Sequence, residues 1–288
     1  MDFSLPTDPA RRDEIYTALR EGLDAISPDR RGKEWLKASL FINCLFRFAG
    51  NDTFRQLQEF KEHSDDQTFD QFAKKLFAVL HPQTLGPHGY NRSLGSQNRS
   101  SNWEIVAKTG SIFEELGYDW FINSGTLLGA IRDGNFIPHD DDVDLAVILP
   151  GDNIEAVARS WCALREEVQD RGMLVPWGDK NRYQIHFKVK AKFGLGIFPC
   201  WIIDERVFIW PHTYGEIGEK DLLPLSQFSI GAVTVKVPAM PEKVLELNYG
   251  PDWRVPNPAW RFNWRSAWKK FHEFRATYRA ATKRGAVT

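Results

Sequence analysis

Acidic residues at alternating positions could bind a metal ion in the segment HDDDVDLAVIL. Asp140, Asp142 and Asp144 lie directly before or at the start of an apolar run. Alternate side chains of a strand point to the same face, so the last two would lie roughly 6–7 Å apart along the backbone. Carboxylates so placed repel one another unless a cation lies between them, and Mg²⁺ usually takes one or two carboxylates with water and phosphate oxygens. The spacing predicts a divalent-metal site that could stabilise a phosphoryl group in transfer.

A solvated turn before a strand is the alternative explanation of the consecutive aspartates. It accounts for Asp140 and Asp141, but not for Asp144, which is followed directly by the apolar run LAVIL. A carboxylate beside such a run costs free energy unless it is paired or bound to a metal. We therefore favour a functional role for Asp142 and Asp144.

A second motif, Ser124-Gly125-Thr126, lies between a predicted strand (YDWFIN) and a short predicted helix (TLLGAIRDG, closed by Gly134). Glycine lets the backbone approach a ligand closely, and the free N–H groups at a helix N-terminus can bind phosphate. An ordinary N-cap gives the same pattern. Followed one helix later by alternating acids, the motif becomes typical of the nucleotidyltransferase fold.

Longer matches identify the family. The segment SGTLLGAIRDGNFIPHDDDVDLAV resembles the signature of the LicD family, and NYGPDWRVPNP (248–258) resembles its Tyr-Gly-x-x-Trp-x-x-Pro segment. IFPCW (197–201) resembles part of a third block. The resemblance covers about residues 101–258, and the helical N-terminal region has no counterpart in it.

This resemblance implies a metal-dependent phosphotransferase with a nucleotidyltransferase-like fold. Family members move phosphocholine, ribitol phosphate or a similar group from a CDP-linked alcohol donor to a hydroxyl of a glycan or glycolipid acceptor, with Mg²⁺ or Mn²⁺. Asp142 and Asp144 would hold the metal, with Asp140 beside them. The segment 124–126 would face the donor phosphates through Ser124, Gly125 and Thr126. Arg132 would steady the pyrophosphate or the acidic loop, or pair with Asp140 or Asp141.

Two departures from the family pattern concern the site. His139 replaces a tryptophan before the acidic residues, a change that we expect to be tolerated. Gly196 stands where the family has a third carboxylate, so the general base is unassigned. Asp204 and His186 are the available substitutes, although Asp204 is equally a candidate turn residue and His186 fits a half-buried strand position better.

Other functions compete with this one. A nucleotidyltransferase acting on a small molecule would use the same metal pair with an NTP donor. The missing carboxylate also permits a binding protein that has lost turnover. A glycosyltransferase with a D-x-D motif is disfavoured, because such enzymes place a nucleotide-binding α/β half before that motif.

Composition narrows the class of protein. The chain of 288 residues can hold one large domain, or one domain with a helical extension, and its net charge of −1 argues against a nucleic-acid partner. The start MDFSLPTDPARRDE has no apolar segment typical of a secretory signal, and no run is long enough to span a membrane. Three widely spaced cysteines, Cys44, Cys162 and Cys200, indicate reduced core residues, so we expect a cytoplasmic protein.

The hydrophobic periodicity predicts an α+β fold with a mixed sheet flanked by helices. Helical patterns run from Pro9 to about Leu80, with N-caps at Asp52-Thr53 and in 66–68, and residues 81–101 resemble a long surface loop. We place a helical region at 1–95 and the LicD-like domain at 101–288. Within the latter, NWEIVAKTGSIFEELG and NIEAVARSWCALREEVQDRG are predicted helices, and DLAVIL, YQIHFKVKAK, IFPCWIID and VTVKVP are predicted strands.

The tail from Trp260 onward predicts a basic, aromatic helix. Basic aromatic helices can lie in a lipid interface, which would give peripheral membrane contact. Trp264, Trp268 and Phe271, at i, i+4 and i+7, favour packing against the parent domain instead. The cations interleaved with them are Arg261, Arg265, Lys269, Lys270, Arg275, Arg279, Lys283 and Arg284.

Overall fold

The structure, a computed structural model, describes residues 6–175 and 183–285, with side chains up to residue 282. The expectation of no secretory leader concerns in part residues 1–5, which lie outside the described residues. The side chains of two basic residues of the tail, Lys283 and Arg284, also lie outside them. Two compact units divide the chain: Met1–Ser96 with Asn257–Arg261, and Gln97–Pro256 with Phe262–Thr288. Within the described ranges, no helix combines the length and apolar character needed to cross a bilayer.

The first unit is built mainly from helices. They are α1 (Pro9–Asp24), α2 (Lys33–Phe46), α3 (Gly50–Glu62) and α4 (Asp66–Leu80), in agreement with the predicted helical pattern. Their apolar faces meet in a core that includes Leu40, Leu57, Phe60, Leu76 and Leu80.

The predicted loop at 81–101 and both predicted N-caps were wrong in detail. Strands β1 (Gln83–Gly86) and β2 (Gly89–Arg92) form an antiparallel hairpin there, because Leu85 is buried in the helical core and Gly89 adopts a φ of +86° at the turn. The N-cap of α4 is Asp65, which accepts from the N–H of Thr68. Helix α3 begins at Gly50, so Thr53 lies inside it and its hydroxyl donates to the Ala49 carbonyl.

The second unit combines helices with a mixed sheet. Its helices are α5 (Arg99–Glu115), α6 (Ser124–Asp133), α7 (Ile154–Asp170), α8 (Glu219–Leu222), α9 (Pro241–Tyr249), α10 (Trp264–Lys270) and α11 (His272–Gly285). Its strands are β3 (Trp120–Ile122), β4 (Asp142–Ile148), β5 (Ile185–Phe187), β6 (Gly194–Ile203), β7 (Arg206–Ile209), β8 (Thr213–Gly218), β9 (Ser226–Ile230) and β10 (Val233–Val237). The predicted α+β class is confirmed.

The main sheet has the order β3-β4-β6-β7-β8, with β5 paired to the first part of β6. Strands β4 and β6 are parallel, and the remaining pairs in this sheet are antiparallel. Strands β9 and β10 form a separate hairpin. Strand β4 therefore lies between β3 and β6, with both of its edges paired.

Strand β5 is much shorter than the predicted strand YQIHFKVKAK. It ends at Phe187, because the next residue, Lys188, donates its N–H to the Met173 carbonyl after α7 instead of continuing along β6. Strands β7, β8 and β9 and helices α8 and α9 were not predicted. They are short and carry weak periodicity.

The loop between α6 and β4 is fixed by close packing. Helix α6 ends at Gly134, whose φ of +65° turns the chain back across the helix. Phe136 stacks on Trp103 at 3.9 Å between ring centroids, and the indole N–H of Trp103 donates to Asn135 Oδ1 at 3.1 Å. Where the loop crosses α6, a Cβ on Gly129 would lie 2.5 Å from the Asn135 carbonyl oxygen. The start of β4 is therefore held against α5 and α6.

The C-terminal helix is divided into α10 and α11 at Phe271. Its aromatic side chains pack within the domain: Phe271, Phe274 and Tyr278 are buried, and the Arg275 guanidinium lies 3.6 Å from the centroid of the Trp268 ring. Helix α11 packs against α7. Of the three aromatic residues expected to pack on the parent domain, Phe271 is buried and Trp268 is half-buried, whereas Trp264 is 44% exposed. The favoured alternative therefore holds for Phe271 and Trp268 but not fully for Trp264, and membrane contact gains no support from this helix.

We expect Gly129→Ala to lower the free energy of unfolding by about 1–3 kcal/mol, since the added methyl group collides with backbone that cannot move away. Denaturant unfolding of the whole chain measures this change. Gly218→Ala is a matched control, because its Cβ would lie 3.6 Å from the nearest atom, an ordinary contact. Equal stability of the two variants would contradict the close packing at Gly129.

Candidate active site

The acidic residues of β4 lie on one face at the edge of the core. Asp142 and Asp144 are half-buried, whereas Val143 and Leu145, on the opposite face, are fully buried. The backbone carbonyl of Asp144 accepts from the N–H of Asn123 at the end of β3. The predicted alternation is therefore observed, and both carboxylates share one side of the sheet.

Burial and like charge destabilise the ionised form of this pair. Burial raises the pKa of Asp144 well above its usual range, and the negative charges of Asp142 and Asp140 raise it further. A hydrogen bond from the Ser124 hydroxyl opposes this rise. The cluster thus carries electrostatic repulsion that a bound cation would relieve.

The hydroxyl groups of α6 contact the acidic strand. Thr126 Oγ1 accepts from the backbone N–H of Asp144 at 2.9 Å, and the Ser124 hydroxyl bonds the side chain of the same aspartate. Ser124 begins α6 with a φ of +49°, a backbone conformation that residues other than glycine rarely adopt. These residues hold Asp144 in place; their predicted contact with donor phosphates stays a prediction.

Gly125 allows Asp140 to lie close to the N-terminus of α6. A Cβ on Gly125 would lie 2.5 Å from Oδ2 of Asp140, so any larger residue at position 125 would force that carboxylate to move. The positive end of the helix dipole stabilises a carboxylate at this place. The structure therefore brings the Ser-Gly-Thr motif and the acidic motif together, as their order in the sequence suggested.

Arg132 forms its ion pair with a neighbour in sequence. Its Nε and one terminal nitrogen contact the two carboxylate oxygens of Asp133, each at 2.8 Å. From the sequence, pairing with Asp140 or Asp141 and contact with the pyrophosphate or the acidic loop were equal alternatives. The ion pair observed for Arg132 is with the adjacent Asp133, and its contact with the pyrophosphate stays a prediction. His139 is half-buried, and burial together with the nearby Arg132 charge lowers its pKa to about 4, so it is neutral at pH 7.

His212 is a site residue that the sequence did not reveal. Its Nε2 lies 3.1 Å from Ser124 Oγ, and burial lowers its pKa to about 4. The Ser124 hydroxyl has one proton, so it can donate to Asp144 when Nε2–H of His212 donates to its oxygen. The other ring nitrogen, Nδ1, is buried with no hydrogen-bond partner among the described residues. No local motif marks His212, which directly precedes β8.

Tyr249 lies within the electrostatic reach of the acidic cluster. Burial raises its pKa well above 10, and the charges of Asp140, Asp144 and Asp142 raise it further. Tyr249 ends α9 and belongs to the NYGPDW segment. That segment, recognised only as a motif in the sequence, therefore belongs to the same site.

The two substitutes for the missing carboxylate lie in different places. His186 pairs with Gly196, which pairs with Asp144, so all three face the same side in one row across the sheet. Asp204 and Glu205 have φ values of 52° and 59° and form the turn between β6 and β7. Asp204 lies eight residues beyond Gly196, about 26 Å along an extended strand. The turn interpretation of Asp204 holds, and the structure does not bring it to the acidic pair.

A family model matches the part of the chain that holds the acidic strand. Residues 117–240 match the family model described as "LicD/FKTN/FKRP, nucleotidyltransferase domain". The resemblance to the LicD family is confirmed. The matched LicD region holds α6, the acidic strand and Gly196, whereas Tyr249 lies just beyond its end.

Curated relatives are similar at low identity. "Ribitol-5-phosphate transferase FKTN" of Mus musculus is 25% identical over 269 residues, 89% of this chain and 49% of the relative. The Homo sapiens FKTN protein is 24% identical over 260 residues, 86% of this chain and 48% of the relative. "Ribitol 5-phosphate transferase FKRP" of Homo sapiens is 24% identical over 160 residues, 51% of this chain and 32% of the relative.

The chain spans about half the length of the FKTN relatives that it matches. A match over 89% of the chain must include most of the helical N-terminal region. No counterpart of this region was recognised in the sequence, and the LicD family model indeed begins at residue 117; the similarity of the region is to the FKTN relatives, at low identity and without a motif.

In the metal-free protein, we expect Asp144→Asn to increase stability at pH 7. Alternate strand residues lie roughly 6–7 Å apart along the backbone, and two unit charges at that separation repel by about 2–3 kcal/mol at an effective dielectric constant of 20. The amide removes this repulsion, and the cost of burying the charge, without changing the shape of the side chain. The pKa of Asp144 is raised on folding, so the penalty on the wild type is full above the folded pKa. It vanishes below the unfolded pKa, where the residue is protonated in both states.

Urea unfolding with a chelator, at pH 7 and near pH 3.5, measures this difference between Asp144→Asn and the wild type. The exposed Asp252→Asn serves as the control and should change stability by less than about 0.5 kcal/mol. A less stable Asp144→Asn variant at pH 7 would contradict the repulsion.

Ser124 and His212 should be energetically coupled. We expect the double variant Ser124→Ala/His212→Phe to lose about 1 kcal/mol less free energy of unfolding than the sum of the two single losses. The reason is that either change alone removes the same hydrogen bond. A double-mutant cycle from unfolding curves gives the coupling. Thr109 is the control for Ser124, since its buried hydroxyl donates to the Ile105 carbonyl of its own helix. Thr109→Val with His212→Phe should be additive; zero coupling between Ser124 and His212 would refute the bond.

Proposed function

We propose that this chain transfers a phosphorylated alcohol from a CDP-linked donor to a hydroxyl of a glycan or glycolipid acceptor. The observation that carries the proposal is the half-buried pair Asp142 and Asp144 on one face of β4, inside a segment matching the LicD family model. Relatives named as ribitol-5-phosphate transferases support ribitol phosphate as the first group to test.

The donor set fits Mg²⁺ or Mn²⁺. Carboxylate oxygens are the ligands that these ions prefer. The charges of Asp142 and Asp140 raise the pKa of Asp144, and a bound cation would relieve this repulsion. Asp142 and Asp144 would hold the ion, with Asp140 contributing charge from its place beside α6. When bound, the ion would neutralise negative charge on the phosphates during transfer.

The protein's own residues orient this site. Thr126 fixes the backbone of Asp144, and Ser124 bonds its carboxylate. His212 acts through Ser124, whose hydroxyl it contacts, so the rotation of the Asp144 side chain is restricted. Preorganised groups of this kind lower the barrier because they need no rearrangement during the reaction.

The reaction balances as a simple displacement. The acceptor oxygen bonds to the phosphorus that carries the alcohol, the bond from that phosphorus to the CMP oxygen breaks, and CMP leaves with the electron pair. The hydroxyl proton must pass to a base. His186, in the row of Asp144 and Gly196, is the candidate base that the geometry favours.

Nucleotidyl transfer from an NTP is the second candidate function. The observation that favours it is the family description as a nucleotidyltransferase domain. The same acidic pair would serve both reactions, but an NTP would release pyrophosphate whereas a CDP-alcohol releases CMP.

The test is metal-dependent release of CMP from CDP-ribitol, CDP-glycerol and CDP-choline, with CTP and ATP assayed in parallel for pyrophosphate. We expect release in Mg²⁺ or Mn²⁺ and a loss of at least 100-fold in Asp142→Ala/Asp144→Ala, because the metal and its charge neutralisation are lost. The control is Asp152→Ala, an exposed aspartate before α7, which should retain activity.

Different outcomes separate the hypotheses. CMP release from one donor, abolished in the double variant, identifies the transferred group even without the natural acceptor. Pyrophosphate from an NTP would replace phosphotransfer by nucleotidyl transfer. No release from any donor, with metal-dependent nucleotide binding retained, would indicate a protein that binds without turnover.

A further inference from the structure

Gly196 creates space for the side chain of Gln184, the residue directly before β5. A Cβ at Gly196 would lie 2.2 Å from the amide nitrogen of Gln184 and 2.8 Å from Oδ1 of Asp144. Side-chain carbons do not approach other atoms so closely. The Gln184 amide therefore occupies the place where any side chain at position 196 would begin, beside the carboxylate of Asp144.

The backbone of β5 directs Gln184 to this position. Gln184 lies two residues before His186, so the two side chains point to the same face, the face of Asp144. Its carbonyl accepts from Arg165 on α7 at 3.2 Å, which fixes the backbone just before β5. The side chain is half-buried and crosses β6 where glycine leaves room.

A second amide lies on the other side of Asp144. Asn123 is fully buried, and neither its Oδ1 nor its Nδ2 has a hydrogen-bond partner among the described residues. Its N–H donates to the carbonyl of Asp144, so it is opposite that residue across the β3–β4 pair. Buried amides without partners cost free energy, so the fold retains two unbonded polar atoms at the end of the strand beside Asp144.

We propose that Gln184 contacts the ligand, donating its amide N–H to an anionic oxygen of a nucleoside diphosphate bound beside Asp142 and Asp144. The inference rests on the proposed function, because it uses the same acidic pair. A neutral donor at this place attracts a diphosphate, whereas a third carboxylate would repel it. Gln184 cannot accept a proton at neutral pH, so it determines what binds and does not act as the base.

The test compares Gln184→Glu, which has the same shape but is charged, with Gln184→Ala. Calorimetry measures the affinity for CDP in saturating Mn²⁺, and electron paramagnetic resonance of free Mn²⁺ measures the affinity for the metal alone. We expect CDP to bind about 10-fold more weakly to Gln184→Ala and still more weakly to Gln184→Glu, since a hydrogen bond to a charged oxygen is lost and then replaced by repulsion.

The affinity for Mn²⁺ alone should be unchanged in Gln184→Ala and unchanged or higher in Gln184→Glu. Gln169→Glu, on the exposed face of α7, adds the same charge elsewhere and should alter neither affinity. Circular dichroism melting confirms that each variant is folded.

Three results would overturn the inference. If both Gln184 variants bind CDP as tightly as the wild type, Gln184 does not contact the ligand. Mn²⁺ affinity lowered as much as CDP affinity in Gln184→Ala means that the residue acts through Asp144 alone. Faster CMP release by Gln184→Glu means that the position belongs to a base.

Failure of the proposed function would look different. In that case CDP binding to the wild type would be absent, or would survive Asp142→Ala/Asp144→Ala, whatever happens at Gln184. If CDP binding requires the acidic pair but not Gln184, the site stands and only this inference falls.

Discussion

The arrangement of the candidate site depends on how the backbone of Asp144 is held. Strand β4 is paired on both edges, the N–H of Asp144 donates to Thr126, and its carbonyl accepts from Asn123. These bonds fix the carboxylate at the border between the core and the open face, where burial and neighbouring charge both act on it. Helix α6 supplies Ser124 for the side chain of the same residue. A shift of β4 by one residue would turn the acids into the core, so the register of one strand decides whether the site exists.

Glycines determine how closely the elements around that strand can approach. Gly129 lets the loop before β4 cross α6, Gly125 lets Asp140 reach the helix N-terminus, and Gly196 admits Gln184. In each case a single added carbon would collide with a group of the site or with the loop that leads to it. Glycine is therefore needed at three positions for the same reason, the lack of room for a Cβ. Close packing explains the glycines around the acidic motif better than chain flexibility does.

The sequence predicted what depends on local pattern. Helices α1 to α7, the α+β class and the shared face of Asp142 and Asp144 follow from periodicity, and the family resemblance follows from one long motif. The short strands β7 to β9 carry too little pattern to be recognised. Contacts between distant segments were also missed. His212 contacts Ser124 across 88 positions, and the Gln184 amide lies near Asp144 because Gly196, between them, has no side chain.

The neutral groups around the acids explain how the fold tolerates them. Ser124 and Thr126 donate to or accept from Asp144 without adding charge, and the pKa of His212 is lowered to about 4, so its ring is neutral at pH 7. A buried lysine or arginine at these places would pair with the carboxylates and remove their attraction for a cation. Because the neighbours are neutral, the negative charge stays directed towards the open face, where repulsion between the acids favours any positively charged ligand. The neutral polar groups around Asp144 therefore stabilise the fold and still leave the carboxylates able to bind a cation.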